Sequence, residues 1–484
     1  MTVDQMTGLG LALSEFLGEF RDGFGRCELR GKLSKYVRGQ LSELPRKSAE
    51  PMALAAGITP RTLQEFLASD DWDQARLRWH TQRVIVRDHA DEQAIGVIDE
   101  SGHPKKGTRT ACVSRQYCGR TGKIDNCVMT VHLTFTSFDA CFRTMIDSDL
   151  YLPQAWHEDR VRCRQAKIPD DVVYRPKYTI ALEQLDRARA NGVHLAWLTA
   201  DEWYAQKPAF VSGLETRGQR FVLEIPQNFA MWLHDPTHSG AAAKPVATLL
   251  RHSQALLTQA WQAYHVKDTD KGPMVWEAKA VACWLPRGAG VVGPYWLIVA
   301  RNVLNPDELK FFLSNASAGV PLPVLLHVAF SRWSVERCLQ DEKSELGLSH
   351  FETRGYSAIQ RHLLITQVSH LFLARETQRL RGEKSGGDVA SSPRRDQRAD
   401  RQPAAALCRS TPLAATHRRR TDTLATSQST GSNQPCQTSP PRTRIRWHRT
   451  QADPAMPPRM MRDESEKCAV VLAARQRSGR RAAP

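Results

Sequence analysis

Several familiar kinds of site are absent from this sequence of 484 residues. Its 11 cysteines include no Cys-x-x-Cys pair and no Cys/His ligand spacing, which argues against structural zinc and fits a reducing cytoplasm. No apolar run approaches the length of a membrane span and no signal peptide opens the chain, so we expect a cytoplasmic protein with no membrane partner. The segment 102–107 lacks the Lys-Ser/Thr ending of a phosphate loop, and no Asp-x-Asp follows Asp99, which argues against an aspartyl-phosphate mechanism.

Residues 381–484 are poor in aromatic side chains and rich in arginine. They contain one aromatic residue, Trp447, and 21 Lys and Arg against 9 Asp and Glu. A segment of this composition cannot build a core, so we predict a disordered tail over 382–484 with nonspecific contact to a polyanion. The same composition is typical of a GC-rich coding sequence read in a wrong frame. We therefore also hypothesise a frameshift near residues 386–390, with a true disordered basic tail as the alternative.

The formal charge of +16 suggests a polyanionic partner, and its distribution indicates where that partner binds. The tail carries +12 of this charge, so residues 1–380 are nearly neutral at +4. Any nucleic-acid surface in the folded part must therefore be local. The length of the chain predicts two to four domains.

Two aspartates follow apolar runs of strand character. Asp99 closes the run 94–98, and Asp201 comes soon after the run 193–198. Short β-rich runs between helical segments predict buried strands of an α/β sheet, and ligand sites of open α/β sheets lie at the carboxyl ends of such strands. An Asp in this place is also often only a helix or turn cap, and that alternative stays open for each residue alone.

A helix is predicted from residue 332 onward. At 100° per residue it places an apolar arc on one side, made of Val335, Leu339 and Leu346. Glu336 stands at the edge of this arc, with Arg332 one turn before it and Lys343 two turns after it. Such a carboxylate can hold a hard metal ion while the flanking cations hold a phosphate. A solvated ladder of ion pairs spaced four residues apart is the alternative for this segment alone.

Together these residues resemble the DDE transposases of bacterial insertion sequences. Asp99, Asp201 and Glu336 stand in the order of the acidic trio, and Arg332 and Lys343 match the Tyr-Arg-Glu-Lys signature, in which Arg precedes the Glu by four residues and Lys follows it by seven. Ala329 stands at the Tyr position, so the role of that hydroxyl has no counterpart here.

Further segments are similar to the seven-hundred-and-one group of insertion sequences. They are Ile98 to Gly107, Arg115 to Gly119, and Leu346 to Arg354. The resemblance covers roughly residues 20–381 and implies an α/β, ribonuclease H-like mixed sheet with helices. It also implies metal-dependent DNA cleavage and strand transfer.

The resemblance implies the cofactors and partners as well. Asp99, Asp201 and Glu336 would be both the catalytic residues and the ligands of two Mg²⁺ ions, for which Mn²⁺ can substitute. The partners would be the terminal inverted repeats of an element and a target DNA, bound by a homodimer associated with the bacterial nucleoid. A derivative that binds DNA without cutting it, and a ribonuclease H-like nuclease without strand transfer, are the alternatives.

We expect five segments along the chain. Their predicted roles are an N-terminal helical domain that binds element ends (1–92), a first catalytic part (93–225), a β-rich insertion (226–320), a second catalytic part with the Glu helix (321–381) and the tail (382–484). Within the first segment, residues 53–67 have the punctuation of a helix-turn-helix, although an ordinary helical hairpin is an equal alternative.

The predicted DNA-binding residues lie in three places. Arg332, Trp333 and Lys343 surround Glu336, and Trp333 stands where related enzymes stack a tryptophan on an extruded base. The loop after Asp99 contains a second group, Lys105, Lys106 and Arg115, for which a merely solvated loop is nearly as good an interpretation. Arg61 lies on the second helix of the helix-turn-helix and is predicted to contact phosphates.

Overall fold

The computed structural model describes residues 3–69, 71–238, 241–269, 272–288 and 290–385. The last helix ends at Ser385, inside the segment predicted to be a disordered tail. The remainder of that tail, and with it the frameshift hypothesis, lies outside the described residues. No helix that the structure describes combines the length and the apolar character needed to cross a membrane.

The N-terminal part is helical, as predicted. Its helices are α1 (Val3–Gly18), α2 (Cys27–Gln40), α3 (Ala49–Ala55), α4 (Pro60–Ala68) and α5 (Gln74–Asp88). The pair α3–α4 is the predicted helix-turn-helix. Gly57 takes φ +66° in the turn, a conformation that glycine adopts without strain, and Pro60 stands in the first turn of α4 after Thr59.

The next segment alternates strands and helices. Its elements are β1 (Ile95–Pro104), β2 (Ser114–Cys118), β3 (Lys123–Thr136), β4 (Arg143–Leu150), α6 (Gln154–His157), α7 (Arg160–Gln165), α8 (Lys177–Ala190), β5 (Trp197–Ala200), α9 (Glu202–Ala205), α10 (Pro208–Thr216) and β6 (Arg220–Ile225). Two predicted strands differ in extent. β1 does not close at Asp99 but continues to Pro104 because its antiparallel partner β3 is long, and β5 begins only at Trp197 rather than at residue 193.

The segment predicted to be a β-rich insertion is followed by three helices. Its elements are β7 (Ala230–Met231), β8 (Lys244–Pro245), α11 (Val246–His252), α12 (Gln254–Leu257), β9 (Gln262–Thr269), β10 (Gly272–Arg287), β11 (Gly290–Asn302) and β12 (Leu309–Ser314). The chain then forms α13 (Leu322–Phe330), α14 (Trp333–Ser344) and α15 (Tyr356–Ser385).

Ten of the described strands form one mixed sheet. Its order is β2-β3-β1-β5-β6-β12-β11-β10-β9, and β4 also pairs with β3. β3 and β4 run antiparallel to their neighbours, whereas β1, β5 and β6 are mutually parallel. This arrangement confirms the predicted α/β fold with one mixed sheet and helices. The insertion strands do not form a separate sheet: β12 pairs with β6 and extends the same sheet outward.

Two hydrophobic cores lie on opposite faces of this sheet. Because side chains alternate along a strand, Ile98 packs into one core and Val97 into the other. The first core includes the N-terminal helices and α8, and the second includes α13 and α14. A Cβ at Gly96 would lie 2.9 Å from a methyl of Leu195, so a larger residue there would require that side chain to shift.

Helix α15 joins the N-terminal helices to the sheet. It packs against β4 as well as against α2, α4 and α5. Three buried hydrogen bonds connect it to α2: the Tyr36 hydroxyl lies 2.8 Å from His362 Nδ1, Gln40 Nε2 donates to Thr366 Oγ1 at 2.8 Å, and Ser369 Oγ donates to Gln40 Oε1 at 2.8 Å. Buried polar bonds of this kind hold one relative position of the two helices, because separating them would leave polar groups unpaired.

Candidate active site

Three carboxylates lie in a row across the parallel strands. The parallel pairing of β1 and β5 ends with Ile98 opposite Ala200, so Asp99 and Asp201 follow at the same level. In the pairing of β5 with β6, Leu198 lies opposite Phe221, which brings Glu224 to the level of Asp201 three residues later. Asp99 therefore lies mid-strand in β1, but at the edge where the parallel partner strand ends, which is where α/β sheets place ligand sites.

Asp99 and Asp201 disfavour each other's charge. Burial, and then the negative charge of Asp201, raise the pKa of Asp99 to about 7, although the backbone N–H of Glu100 donates to Asp99 Oδ1 at 2.7 Å. Burial likewise raises the pKa of Asp201, partly offset by the N–H of Tyr204 and by the positive charge of Arg332. Two carboxylates arranged in this way repel each other when both are ionised, and a cation between them would relieve that repulsion.

Asp201 has a fixed orientation because it caps helix α9. Its Oδ1 accepts hydrogen bonds from the backbone N–H groups of Trp203 at 3.0 Å and Tyr204 at 3.3 Å. The capping role that the sequence left as an alternative is therefore present. It does not exclude a ligand role, because both capping bonds go to Oδ1 and leave Oδ2 open to a cation.

Helix α14 places Glu336 beside this row, but in an ion pair. Val335 and Leu339 are buried as predicted, and Glu336 lies at the edge with 58% of its side chain exposed. Arg332 Nη2 lies 3.0 Å from Glu336 Oε1, and Arg332 Nε donates to Glu224 Oε2 at 3.1 Å. The predicted ion pair four residues apart therefore exists, and its arginine also bridges to β6.

The positive charges of Arg332 and Lys343 face the aspartates. Burial alone would lower the pKa of Arg332, but Glu224, Glu336, Asp99 and Asp201 raise it. Burial lowers the pKa of Lys343, partly offset by the negative charge of Asp99. Arg332 therefore interacts electrostatically with both aspartates, and Lys343 interacts with Asp99.

The donor set fits a divalent cation in part. Asp99 and Asp201 are adjacent, and a cation between them would relieve the repulsion that raises the pKa of Asp99. Within the described residues, however, no group of three or more His, Cys, Asp and Glu side chains is arranged to hold a metal ion. Glu336 is instead held by Arg332. Completion of a three-carboxylate site therefore requires Glu336 to leave that ion pair.

Glu342, the alternative carboxylate on α14, lies in the interior. Its side chain is fully buried, neither oxygen has a hydrogen-bond partner, and His370 Nδ1 is 3.7 Å away. Burial raises the pKa of Glu342 well above its ordinary value. Burial therefore disfavours the ionised form of this carboxyl group, which is the form that a metal ligand needs.

The predicted DNA-binding residues outside α14 have different surroundings. Lys105 is half-buried. Its ammonium donates to the carbonyl of Phe351 at 2.7 Å and lies 3.3 Å from the centre of the Phe351 ring, so its contacts are made inside the fold. Lys106 and Arg115 are exposed beside the exposed Tyr117. Arg61 is exposed on α4 and pairs with Glu65 at 2.5 Å.

Trp333 and the tryptophans of the insertion are buried or half-buried. Trp333 is half-buried, with the ammonium of Lys267 at 3.6 Å and the guanidinium of Arg143 at 5.2 Å from its ring centre. Of the tryptophans in the segment 226–320, Trp276 is buried. The others are half-buried: Trp232, Trp261, Trp284 and Trp296.

Two residues at the site, Glu224 and Trp203, are not predicted from the sequence. Glu224 lies inside an ordinary amphipathic strand, and only the register of β5 and β6 reveals it. Trp203 stands two residues after Asp201, where 37% of it is exposed, and the ammonium groups of Lys207 and Lys177 lie 4.8 Å and 5.4 Å from its ring centre. The sequence contains one signal that could have identified Trp203: an aromatic residue close to the candidate ligand Asp201, followed four residues later by a lysine.

The comparisons with known proteins assign the class. The chain matches the DDE superfamily endonuclease family over residues 19–273, which is more than half of its length and includes Asp99 and Asp201. The chain belongs to this family. Endonucleases of this superfamily generally use divalent metal ions.

The chain is also similar to one curated protein and, distantly, to two solved structures. The probable transposase for insertion sequence element IS701 of Microchaete diplosiphon is 26% identical over 331 residues, covering 67% of this chain and 78% of that protein. The piggyBac transposase synaptic complex with hairpin DNA is 9% identical, with a TM-score of 0.31 and coverage of 75% and 76%. The NurA nuclease from Sulfolobus solfataricus is 10% identical, with a TM-score of 0.19 and coverage of 62% and 86%. At these scores neither structural likeness bears on function.

Proposed function

We propose that this chain is a DNA transposase of the IS701 type, which cleaves DNA at the ends of an insertion sequence and joins them to a target. The observation that carries the proposal is the pair Asp99 and Asp201 at the edge of the parallel strands, faced by Arg332 and Lys343, in a chain of the DDE endonuclease family. The similarity to the IS701 transposase supports transposition over hydrolysis alone.

The acidic residues would hold two divalent ions, Mg²⁺ or Mn²⁺ in its place. Asp99 would contact both, while Asp201 and Glu336 would each complete one. When bound, such ions neutralise phosphate charge and favour the ionised form of an attacking water or 3′-hydroxyl. The hydrogen bonds from Trp203 and Tyr204 to Asp201 keep this carboxylate oriented, so that its position does not depend on the ions.

The cations around the acidic residues would hold the scissile strand. Arg332 offers a planar guanidinium that matches two phosphate oxygens, and Lys343 offers a point charge on the side of Asp99. Lys106, Arg115 and the exposed face of α4 with Arg61 would hold duplex DNA further away through sequence-independent phosphate contacts. Lys105 is not part of this proposal because its ammonium is bound inside the fold. Two ends must be joined to one target, so we propose a homodimer on DNA.

A plasmid assay tests the function. Supercoiled DNA with and without element ends is incubated with the full chain and Mg²⁺, and the products are separated on a gel. Joined products support a transposase, nicking without joining indicates a nuclease, and a mobility shift without cleavage indicates a protein that only binds. Asp99→Asn, Asp201→Asn and Glu336→Gln should each abolish cleavage, and cleavage retained by any of them would remove that residue from the proposed site.

A further inference from the structure

Glu224 is the one carboxylate of the row that neither the sequence motifs nor the proposed chemistry uses. It is largely buried, with 13% of its side chain exposed, and both of its oxygens are bound. Lys310 Nζ donates to Oε1 at 2.7 Å, and Arg332 Nε donates to Oε2 at 3.1 Å. Glu224 and Glu336 therefore hold Arg332 through different nitrogens, Nε and Nη2.

Arg332 divides its guanidinium between two carboxylates. Its Nε faces Glu224, while its Nη2 lies 3.0 Å from Glu336. A cation that takes Glu336 as a ligand removes the second partner only. The bond through Nε then keeps the guanidinium at the site, and its terminal nitrogens become available for another anion.

We propose that Glu224 is a positioning residue that releases Glu336 to the metal and turns Arg332 toward a DNA phosphate. This inference rests on the proposed function. With Glu224 present, Arg332 retains a counterion after Glu336 leaves. Without it, Glu336 is the nearest remaining counterion of a half-buried arginine, so the pair of Arg332 and Glu336 tightens and competes with metal binding.

Binding of Mn²⁺ to the DNA-free protein, measured by titration calorimetry, tests the first half. Glu224→Gln should weaken Mn²⁺ binding about tenfold, and Glu224→Asp should restore most of it. A direct electrostatic effect of losing one negative charge would also weaken binding, so the same change is repeated in an Arg332→Met background. There we expect Glu224→Gln to leave the affinity unchanged, because the competitor is gone. An equal loss in both backgrounds would overturn the proposal.

The salt dependence of DNA binding tests the second half. With Mn²⁺ replaced by Ca²⁺ to hold the DNA uncut, Glu224→Gln and Arg332→Met should each reduce the slope of log K against log salt by about 0.9, which is the loss of one phosphate contact. Unchanged slopes would overturn the assignment of Arg332 to a phosphate.

A matched ion pair controls for folding. Glu277 in β10 pairs with Arg301 in β11 of the same sheet, at 2.5 Å and with similar exposure, and neither residue belongs to the site. Glu277→Gln should lower thermal stability as Glu224→Gln does, but leave Mn²⁺ affinity and salt slope at wild-type values. If wild type itself neither cuts nor joins DNA, the proposed function fails. If wild type acts and Glu224→Gln matches it in both measurements, only this inference fails.

Discussion

Replacing Asp99 by Asn should stabilise the metal-free protein while removing its response to metal. The pKa of Asp99 is raised from 3.8 to about 7, first by burial and second by the charge of Asp201. The folded state therefore binds more protons than the unfolded state between these two values, and stability falls as pH rises through this window. Asn has no charge to lose and can keep the hydrogen bond from the Glu100 N–H.

The size of the expected stability gain follows from the pKa shift of Asp99. Three pH units correspond to about 4 kcal/mol, and the partial exposure of Asp99 reduces this to about 3 kcal/mol above pH 7. The gain of Asp99→Asn should be small at pH 4, where the carboxyl is protonated in the folded state and about half protonated in the unfolded state, and should grow until pH 7. At pH 8 the melting temperature in EDTA should rise by about 5 °C.

Thermal unfolding with and without Mg²⁺ provides the assay. Wild type should gain about 2.7 kcal/mol when Mg²⁺ is one hundred times its dissociation constant, whereas Asp99→Asn should gain almost nothing. Asp307→Asn, an exposed aspartate between β11 and β12, is the control and should change neither value. If Asp99→Asn is destabilised in EDTA at pH 8, or equally stabilised at pH 4 and pH 8, the reasoning about charge repulsion is wrong.

Four further predictions can be checked separately. Trp203→Ala should weaken binding of DNA with unpaired bases at the cleavage site by about five- to 150-fold, about 1–3 kcal/mol for one lost stacking contact, in a fluorescence titration; Trp79→Ala, at a ring flanked by two arginines instead of two lysines, should not. Glu342→Gln should retain plasmid cleavage, because burial inside the fold disfavours the ionised form of this carboxyl and keeps it away from the aspartates; loss of cleavage would make it the better candidate ligand. Native mass measurement of a paired-end DNA complex should find two protein chains, and one chain would contradict the dimer. Translation of the encoding DNA after codon 385 should yield a helical, aromatic-containing continuation in another frame, and its absence from both frames would end the frameshift hypothesis.

Local patterns in the sequence predicted the elements that carry the site. The apolar spacing of Val335 and Leu339 identified helix α14 and placed Glu336 at its edge, because helical period and burial coincide there. The strand before Asp99 and the helix-turn-helix of α3 and α4 were equally evident from composition and from Gly57 and Pro60.

Contacts distant in the sequence were beyond prediction. The place of Glu224 beside Asp201 depends on the register of two parallel strands, which no local pattern encodes. Burial of Glu342 and the inward turn of Lys105 depend on which neighbours cover them, and both residues look like surface charges in the sequence. The same holds for the insertion, whose strands were expected but whose continuity with β6 was not.

The buried hydrogen bonds between α2 and α15 have a consequence for the spacing between the recognised bases and the cleavage point on DNA. Tyr36 and Gln40 bind His362, Thr366 and Ser369, so the helices proposed to read an element end belong to the same compact unit as the acidic residues. As long as this packing holds, the distance between the bases that the helices contact and the phosphate that the acidic residues reach is fixed. On a DNA end lengthened by half a helical turn, about five base pairs, between the recognised bases and the cleavage point, the scissile phosphate would face away from Asp99. Such an end would be bound with full affinity and left uncut, and a full extra turn would restore the orientation of the phosphate but not its distance.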